Sequence, residues 1–250
     1  MEIWQLGLLS VIGVVAGFLN VMAGGGSLLT VPVMVFMGVP GPVANGSNRI
    51  AILAQNITAV TTFFRRGFSE FKLSLSLAAC ALPGAVIGAM IGARLEGVWF
   101  NRTLAIIMLG VMLIMALDKG KDPNKVQTEP SRKQLMWGHI LMVGVGFYGG
   151  FIQLGVGFII MPVLHRVMGF DLVRTNMHKV FIVMTYTLAA LLVFASQVEI
   201  LWIVGAALAV GNSIGGWIAT NMQIKQGEGI INLVLNVVLV GFIIKLLFFS

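Results

Sequence analysis

Gly24-Gly25-Gly26-Ser27-Leu28-Leu29-Thr30-Val31-Pro32 and Gly155-Val156-Gly157-Phe158-Ile159-Ile160-Met161-Pro162 are two versions of one pattern. Each interrupts an apolar helix with glycine and then starts a short apolar run that carries a proline. Glycine and proline are the residues that break helices, the first by its entropy and the second by its missing N–H. The match extends outward. Gly38 and Ala44-Asn45-Gly46-Ser47-Asn48-Arg49 in the first half answer to Gly169 and Thr175-Asn176-Met177-His178-Lys179 in the second. Gly25 pairs with Gly155, Pro32 with Pro162, and Asn45 with Asn176 after a one-residue slip. Further on, Gly84, Gly88 and Gly92 match Gly211, Gly215 and Ala219. Small residues spaced by four let two helix backbones approach closely. The chain reads as one helical unit made twice.

The surroundings of those motifs identify the solvent. Apolar residues make up 58% of the chain and charged residues 10%, against about 25% charged in a soluble domain. Apolar runs long enough to cross a bilayer recur along the whole length. In lipid such runs must be helical, because nothing else satisfies their backbone polar groups. The longest polar stretch, Asp118 to Gln134, is too short to form a soluble domain. The net charge of +7 does not indicate nucleic acid, since the basic residues sit in short loops, where they set membrane orientation. Cys80 is the only cysteine, which excludes an intrachain disulfide and a cysteine-rich metal site. No signal peptide is expected, because Met1-Glu2-Ile3-Trp4 lacks a basic opening and the first positive charge is Arg49.

The segments expected in the first half are 3–22, 27–38, 42–64, 72–95 and 102–118. Those in the second are 136–152, 157–168, 172–196, 199–222 and 229–249. The short second segment of each half is a half-helix, a tilted short span or one arm of a re-entrant loop. Counted as a crossing, it gives five spans per half and inverts the second half relative to the first. Loop charge supports that count: Arg65, Arg66 and Lys72 are basic, whereas the equivalent loop, Ser196 to Glu199, is acidic. Ten spans put Arg65, Arg66, Lys72, the central loop, Arg166 and Lys225 inside, with Arg94 and Arg102 as exceptions. The expected fold is therefore an all-α integral membrane protein of two inverted repeats of five segments. The first repeat is 1–118, a cytoplasmic linker is 119–135, and the second repeat is 136–250. Both termini fall outside.

Transporters built from inverted repeats bind substrate near the midplane, at broken helices in matching positions. A helix starting after Gly25-Gly26 or after Gly155 and Gly157 points free N–H groups, and roughly half a positive charge, into the break. That favours an anion; the simpler reading is tight helix packing. Asn45, Asn48, Gln55, Asn56 and Thr62 share one side of 42–64, with Arg49 adjacent. The matching helix carries Thr175, Asn176, His178, Lys179, Thr185 and Tyr186. A central charge costs on the order of 3 kcal/mol in lipid, so these residues should face the bundle interior. For Arg49 and Lys179 the alternative is snorkelling to an interface; for the asparagines it is interhelical hydrogen bonding. Gln153, just before Gly155, could face the same break, and Asn20 precedes the first glycine cluster. The candidate substrate-binding set is Gly25, Gly26, Asn45, Ser47, Asn48, Arg49, Gln153, Gly155, Gly157, Asn176, His178 and Lys179. Asn232 and Asn236 read as packing contacts of the last helix.

No enzyme signature, metal-ligand pattern or nucleotide-binding loop is present in the sequence, so transport would be secondary or channel-like, without a cofactor. The duplicated glycine cluster, the proline-bearing run, the following glycine and the Ala-Asn-Gly-Ser-Asn helix start resemble the TauE/SafE sulfite exporter family, also called the 4-toluene sulfonate uptake permease family. The resemblance runs from about Gly7 to Phe249. It implies inner-membrane transport of small sulfur-containing anions, such as sulfite, sulfoacetate or other organosulfonates, in a bacterium or archaeon. Family members often carry Gly-Thr-Ser near the start of the helix after the proline segment. Here the halves read Asn45-Gly46-Ser47-Asn48 and Asn176-Met177-His178-Lys179, so the second departs and is more basic. Export of a monoanion needs no coupling ion, because an inside-negative potential of 100 mV favours it by about 2.3 kcal/mol. His178 is the one candidate for proton coupling. The sequence is compatible with a homo-oligomer. Competing readings are a transporter of another substrate, including a metal cation, and a non-transport assembly protein.

Overall fold

The computed structural model describes residues 3–95, 97–100, 129–227 and 229–231, with 102, 103, 106, 110, 233, 234 and 237. The described residues form helices α1 (Ile3–Met22), α2 (Ser27–Phe36), α3 (Gly41–Arg65) and α4 (Phe71–Gly92), then α5 (Arg132–Phe151), α6 (Gly157–Pro162), α7 (Leu172–Gln197) and α8 (Trp202–Gln226). A π-helical turn, Val163–Val167, continues α6. It follows Pro162, whose missing N–H leaves the α-helical ladder incomplete at that point. The fifth segments expected at 102–118 and 229–249 lie largely outside the described residues, as do most of the central loop and both Asn232 and Asn236.

Among the described residues, four helices, α1, α4, α7 and α8, are long and apolar enough to cross a bilayer. Helix α3 has 25 residues, about 37 Å of helix, but its polar stripe lowers its hydropathy. That stripe points inward: Asn45, Asn48, Arg49, Gln55 and Asn56 are all buried. The outer surface is the reverse, with Val11, Ile87, Met136, Leu192, Ile203 and Val210 exposed. Trp4, Trp137 and Trp202 are exposed near helix ends, where tryptophan sits in a membrane interface. An apolar exterior over a polar interior is the arrangement a bilayer imposes.

Helix α5 begins at Arg132, four residues before the sequence expectation. The reason is a capping box: the Ser131 N–H donates to Gln134 Oε1 at 2.8 Å and the Gln134 N–H to Ser131 Oγ at 3.4 Å. Charged residues in a first turn extend the helix beyond its apolar span.

Backbone contacts fix the helix directions. Cβ atoms built on Gly211 and Gly215 would meet the carbonyls of Ser10 and Val14, so α8 runs parallel to α1. On Gly84, Gly88 and Gly92 they would meet the carbonyls of Val143, Phe147 and Phe151, so α4 runs parallel to α5. Gly46 contacts Ile200, Gly205 contacts Ile50 and Gly216 contacts Gln55, so α3 also runs with α8. Glu70 meets Arg174 and Ser74 meets His178, while Arg94 meets Gln197, so α4 runs with α7. Between α3 and α7 the order reverses: Arg49 lies against Phe194, whereas Phe63 shares a cavity with Met177. Helices α1, α3 and α8 thus point one way, and α4, α5 and α7 the other. Because α1 and α3 agree in direction, residues 23–40 carry the chain back along α3; residues 152–171 do the same between α5 and α7.

Candidate functional site

The two glycine breaks meet at the centre. A Cβ on Gly24 would lie 2.1 Å from Gly157 Cα, and one on Gly157 would lie 2.1 Å from Gly24 Cα. The Gly157 N–H donates to the Gly24 carbonyl at 3.3 Å. Gly24 has φ +84° and Gly155 has φ +64°, which glycine adopts without strain. From this junction α2 and α6 leave toward opposite ends of the bundle.

Beside the junction lies a cavity of about 10 Å³, lined by Asn20, Gly24, Ser27, Ile52, Gln55, Asn56, Gln153, Val156, Gly157, Lys179 and Val183. That is room for roughly one water-sized sphere. Gln55 Oε1 accepts from Asn20 Nδ2 at 3.3 Å and from Asn212 Nδ2 at 3.4 Å. Those bonds occupy its acceptor and leave its amide donors for the cavity. Asn56 donates to the Ile52 carbonyl at 2.8 Å. Among the described residues, the N–H groups of Gly25, Gly26 and Ser27 at the start of α2 donate to no backbone carbonyl.

Two cations reach across between the halves. Lys179 Nζ donates to the carbonyls of Val21 at 2.7 Å and Asn20 at 3.3 Å, at the end of α1. Arg49 Nη1 donates to the Gly149 carbonyl at 3.1 Å and to Gln153 Oε1 at 2.9 Å, and Nη2 donates to the Gly150 carbonyl, at the end of α5. Each thus binds the negative end of the other half's first helix. Asparagines repeat the exchange: Asn45 Nδ2 donates to the Phe151 carbonyl at 3.0 Å, and Asn176 Nδ2 to the Met22 carbonyl at 3.5 Å and Gln223 Oε1 at 2.7 Å. Arg49 also packs its guanidinium 4.4 Å from the centre of the Phe194 ring. Neither cation snorkels, since both are at most 3% exposed.

Of the sequence candidates, Gln153, Gly157 and Lys179 border the cavity. The others sit around it. Gly25 lies against the Phe158 ring and Gly26 against the Ala16 carbonyl. Ser47 Oγ accepts the Leu201 N–H at 2.9 Å, and Asn48 Oδ1 accepts from Thr30 at 2.8 Å. Gly155 forms the turn into α6. His178 turns away from the cavity to Ser74 and Glu70. Sequence reasoning left Gly24, Ser27, Asn20, Gln55 and Asn56 out of the site. The signal for the last three was present in the polar stripe and the residue before the glycines. The cavity lies about four turns into α3, however, not at its start.

This constellation belongs to a membrane transporter of a known family. The family model for the sulfite exporter TauE/SafE matches residues 9–246; the chain is a member of that family and a multi-pass integral membrane protein. It is 28% identical over 244 residues to a probable membrane transporter protein, ORF9, of a Sinorhizobium species, covering 97% of this chain and 92% of the relative. It is 25% identical over 228 residues to a probable membrane transporter protein of Haemophilus influenzae, covering 90% and 88%. It is 25% identical over 250 residues to the probable membrane transporter protein YfcA of Escherichia coli K12, covering 98% and 90%. No solved structure matches the chain.

Proposed function

We propose that this protein is a secondary transporter of small sulfur-containing anions, sulfite or an organosulfonate, acting as an exporter through a midplane site between two inverted repeats of five segments. The observation that carries the reading is the donor-rich cavity at the glycine junction. Gln55 amide donors, Ser27 at the start of α2 and the Lys179 side chain border one small space. Donors without a carboxylate suit an oxyanion, and a helix start adds positive potential. Family membership supports the sulfur-anion class. The helix directions support inversion: the first, third and fourth helices of one half oppose their counterparts in the other. Charge supports the orientation. Arg65, Arg66, Lys72, Arg132, Lys133 and Lys225 gather at one end, against Arg94 and Glu199 at the other, so the first end faces the cytoplasm. Export follows from the inside-negative potential acting on a monoanion.

The test is reconstitution in liposomes, with flux of sulfite, sulfoacetate and taurine-like sulfonates measured under an imposed potential. Sulfur-anion flux that rises with a potential negative on the loaded side is expected. Folded protein that moves none of these anions would refute the substrate class.

A further inference from the structure

The two ends of the bundle are closed by equivalent contacts of different chemistry. At the end carrying the basic loops, the His178 ring on α7 shares a hydrogen bond between Nδ1 and Ser74 Oγ of α4 at 2.8 Å. At the other end Ser47 occupies on α3 the place of His178, by the same register that pairs Asn45 with Asn176. Leu201 occupies the place of Ser74, by the register that pairs Gly84 with Gly211. The corresponding bond is there too: Ser47 Oγ accepts the Leu201 N–H at 2.9 Å. That second closure contains no titratable group. The first is surrounded by them.

His178 is fully buried, and its Nε2 stands 3.5 Å from Glu70 Oε2, just beyond a full hydrogen bond. Glu70 lies in the turn before α4 and is held by Arg174, with Oε1 2.5 Å from Nε and Oε2 2.7 Å from Nη2. The Phe170 ring packs on His178 with centroids 4.8 Å apart, and the Arg174 guanidinium lies 4.3 Å from its centre. The remaining charged or titratable groups nearby are engaged elsewhere. Asp171 accepts the Arg174 N–H, and His165 contacts the Phe170 carbonyl. His139 of α5 contacts Ser76 and the Leu135 carbonyl, and Lys179 bonds α1. A small cavity lined by Phe68, Ser69, Glu70, Phe71, Ser74 and Met177 brings space to both partners of the imidazole. The Ser74 hydroxyl can donate to a neutral imidazole or accept from a charged one, so this bond is available in either state.

We propose that His178, with Glu70, Ser74 and Arg174, is a proton-binding site that locks one end of the transporter, the end carrying the basic loops, while the opposite end closes without a proton. Protonation gives Nε2 and Nδ1 each a hydrogen to donate and sets an imidazolium against Glu70, which ties α7 to α4. Loss of the proton leaves only the Glu70–Arg174 pair and the serine bond. Glu70 is ionised throughout, because the facing His178 and then Arg174 hold its carboxyl down to about 2. The residue next to the switch is Lys179 of the central cavity, so movement of α7 at His178 is passed directly to the substrate site.

This inference rests on the transporter reading, and its test separates the two. Val183 lines the central cavity. In a Cys80→Ser background, V183C is treated with a membrane-impermeant anionic methanethiosulfonate from either face of oriented vesicles between pH 5 and 8, the range in which histidine changes charge. Taking the ratio of the two faces cancels the ionisation of the thiol itself. The ratio, basic-loop face over opposite face, is expected to rise at least threefold from pH 5 to 8. It should be high and flat in E70Q, which keeps the imidazole but removes its counter-charge, and flat in H178Q. A flat ratio with His178 and Glu70 intact, or an unchanged slope in either variant, would overturn the proton site. Labelling from neither face at any pH would overturn the transporter reading along with it.

Discussion

Lys179 and Arg49 do the same job from opposite halves, one position apart in the register that pairs Asn45 with Asn176, yet only Lys179 borders the cavity. Both donate to carbonyls at the end of the opposite half's first helix. Removing either leaves buried carbonyls without a donor, at about 1–3 kcal/mol for each such group. The two variants should therefore share a stability loss and differ in transport. In detergent, Arg49→Met is expected to melt several degrees below the parent, since it loses bonds to Gly149, Gly150 and Gln153 together. Lys179→Met should lose less stability and yet abolish flux of any anion the parent carries. A scanning-fluorimetry comparison combined with liposome flux checks both. Equal residual flux in the two variants would remove Lys179 from the substrate site.

Helix pairing depends on the small-residue stripes. On Gly215 a Cβ would sit 2.0 Å from the Val14 carbonyl, and on Gly88 2.1 Å from the Phe147 carbonyl. These obstacles are backbone, so the helices must separate if a methyl is added. Gly215→Ala and Gly88→Ala should lower the melting temperature and reduce monodisperse yield in size-exclusion chromatography. Gly7→Ala is the control: nothing lies within 4 Å of its Cβ. In that position alanine should be neutral or stabilise by about 0.5–1 kcal/mol through helix entropy. The equivalence of the two stripes was legible from their spacing. Their partner helices were not, because a glycine stripe states that something approaches closely without stating what.

At the scale of the molecule, opposed helix directions make a sidedness prediction. Arg66 and Lys225 lie at one end and Glu199 at the other. In intact cells, an impermeant maleimide should label E199C in a cysteine-free background, and should label R66C and K225C only after the membrane is opened. Labelling of all three from one face would contradict the inverted arrangement. The central cavity, about 10 Å³, holds roughly one water-sized sphere, so a larger solute would fit there only after the surrounding helices move.

The sequence by itself determined the membrane environment, the positions of eight helices to within a few residues and the family. These follow from apolar run length, glycine and proline placement and local periodicity, all of which are properties of adjacent residues. It also marked Gln153, Gly157 and Lys179 as belonging near one site. Only the tertiary structure decided that Arg49, Asn45 and Asn176 bond to the carbonyl ends of the opposite half's helices. It alone placed the cavity at Gln55 and Asn56, and turned His178 away from it toward Glu70. Those assignments depend on which face of α3 meets which face of α7. Consecutive residues on a helix point about 100° apart, so His178 and Lys179, neighbours in the chain, serve different places in the fold.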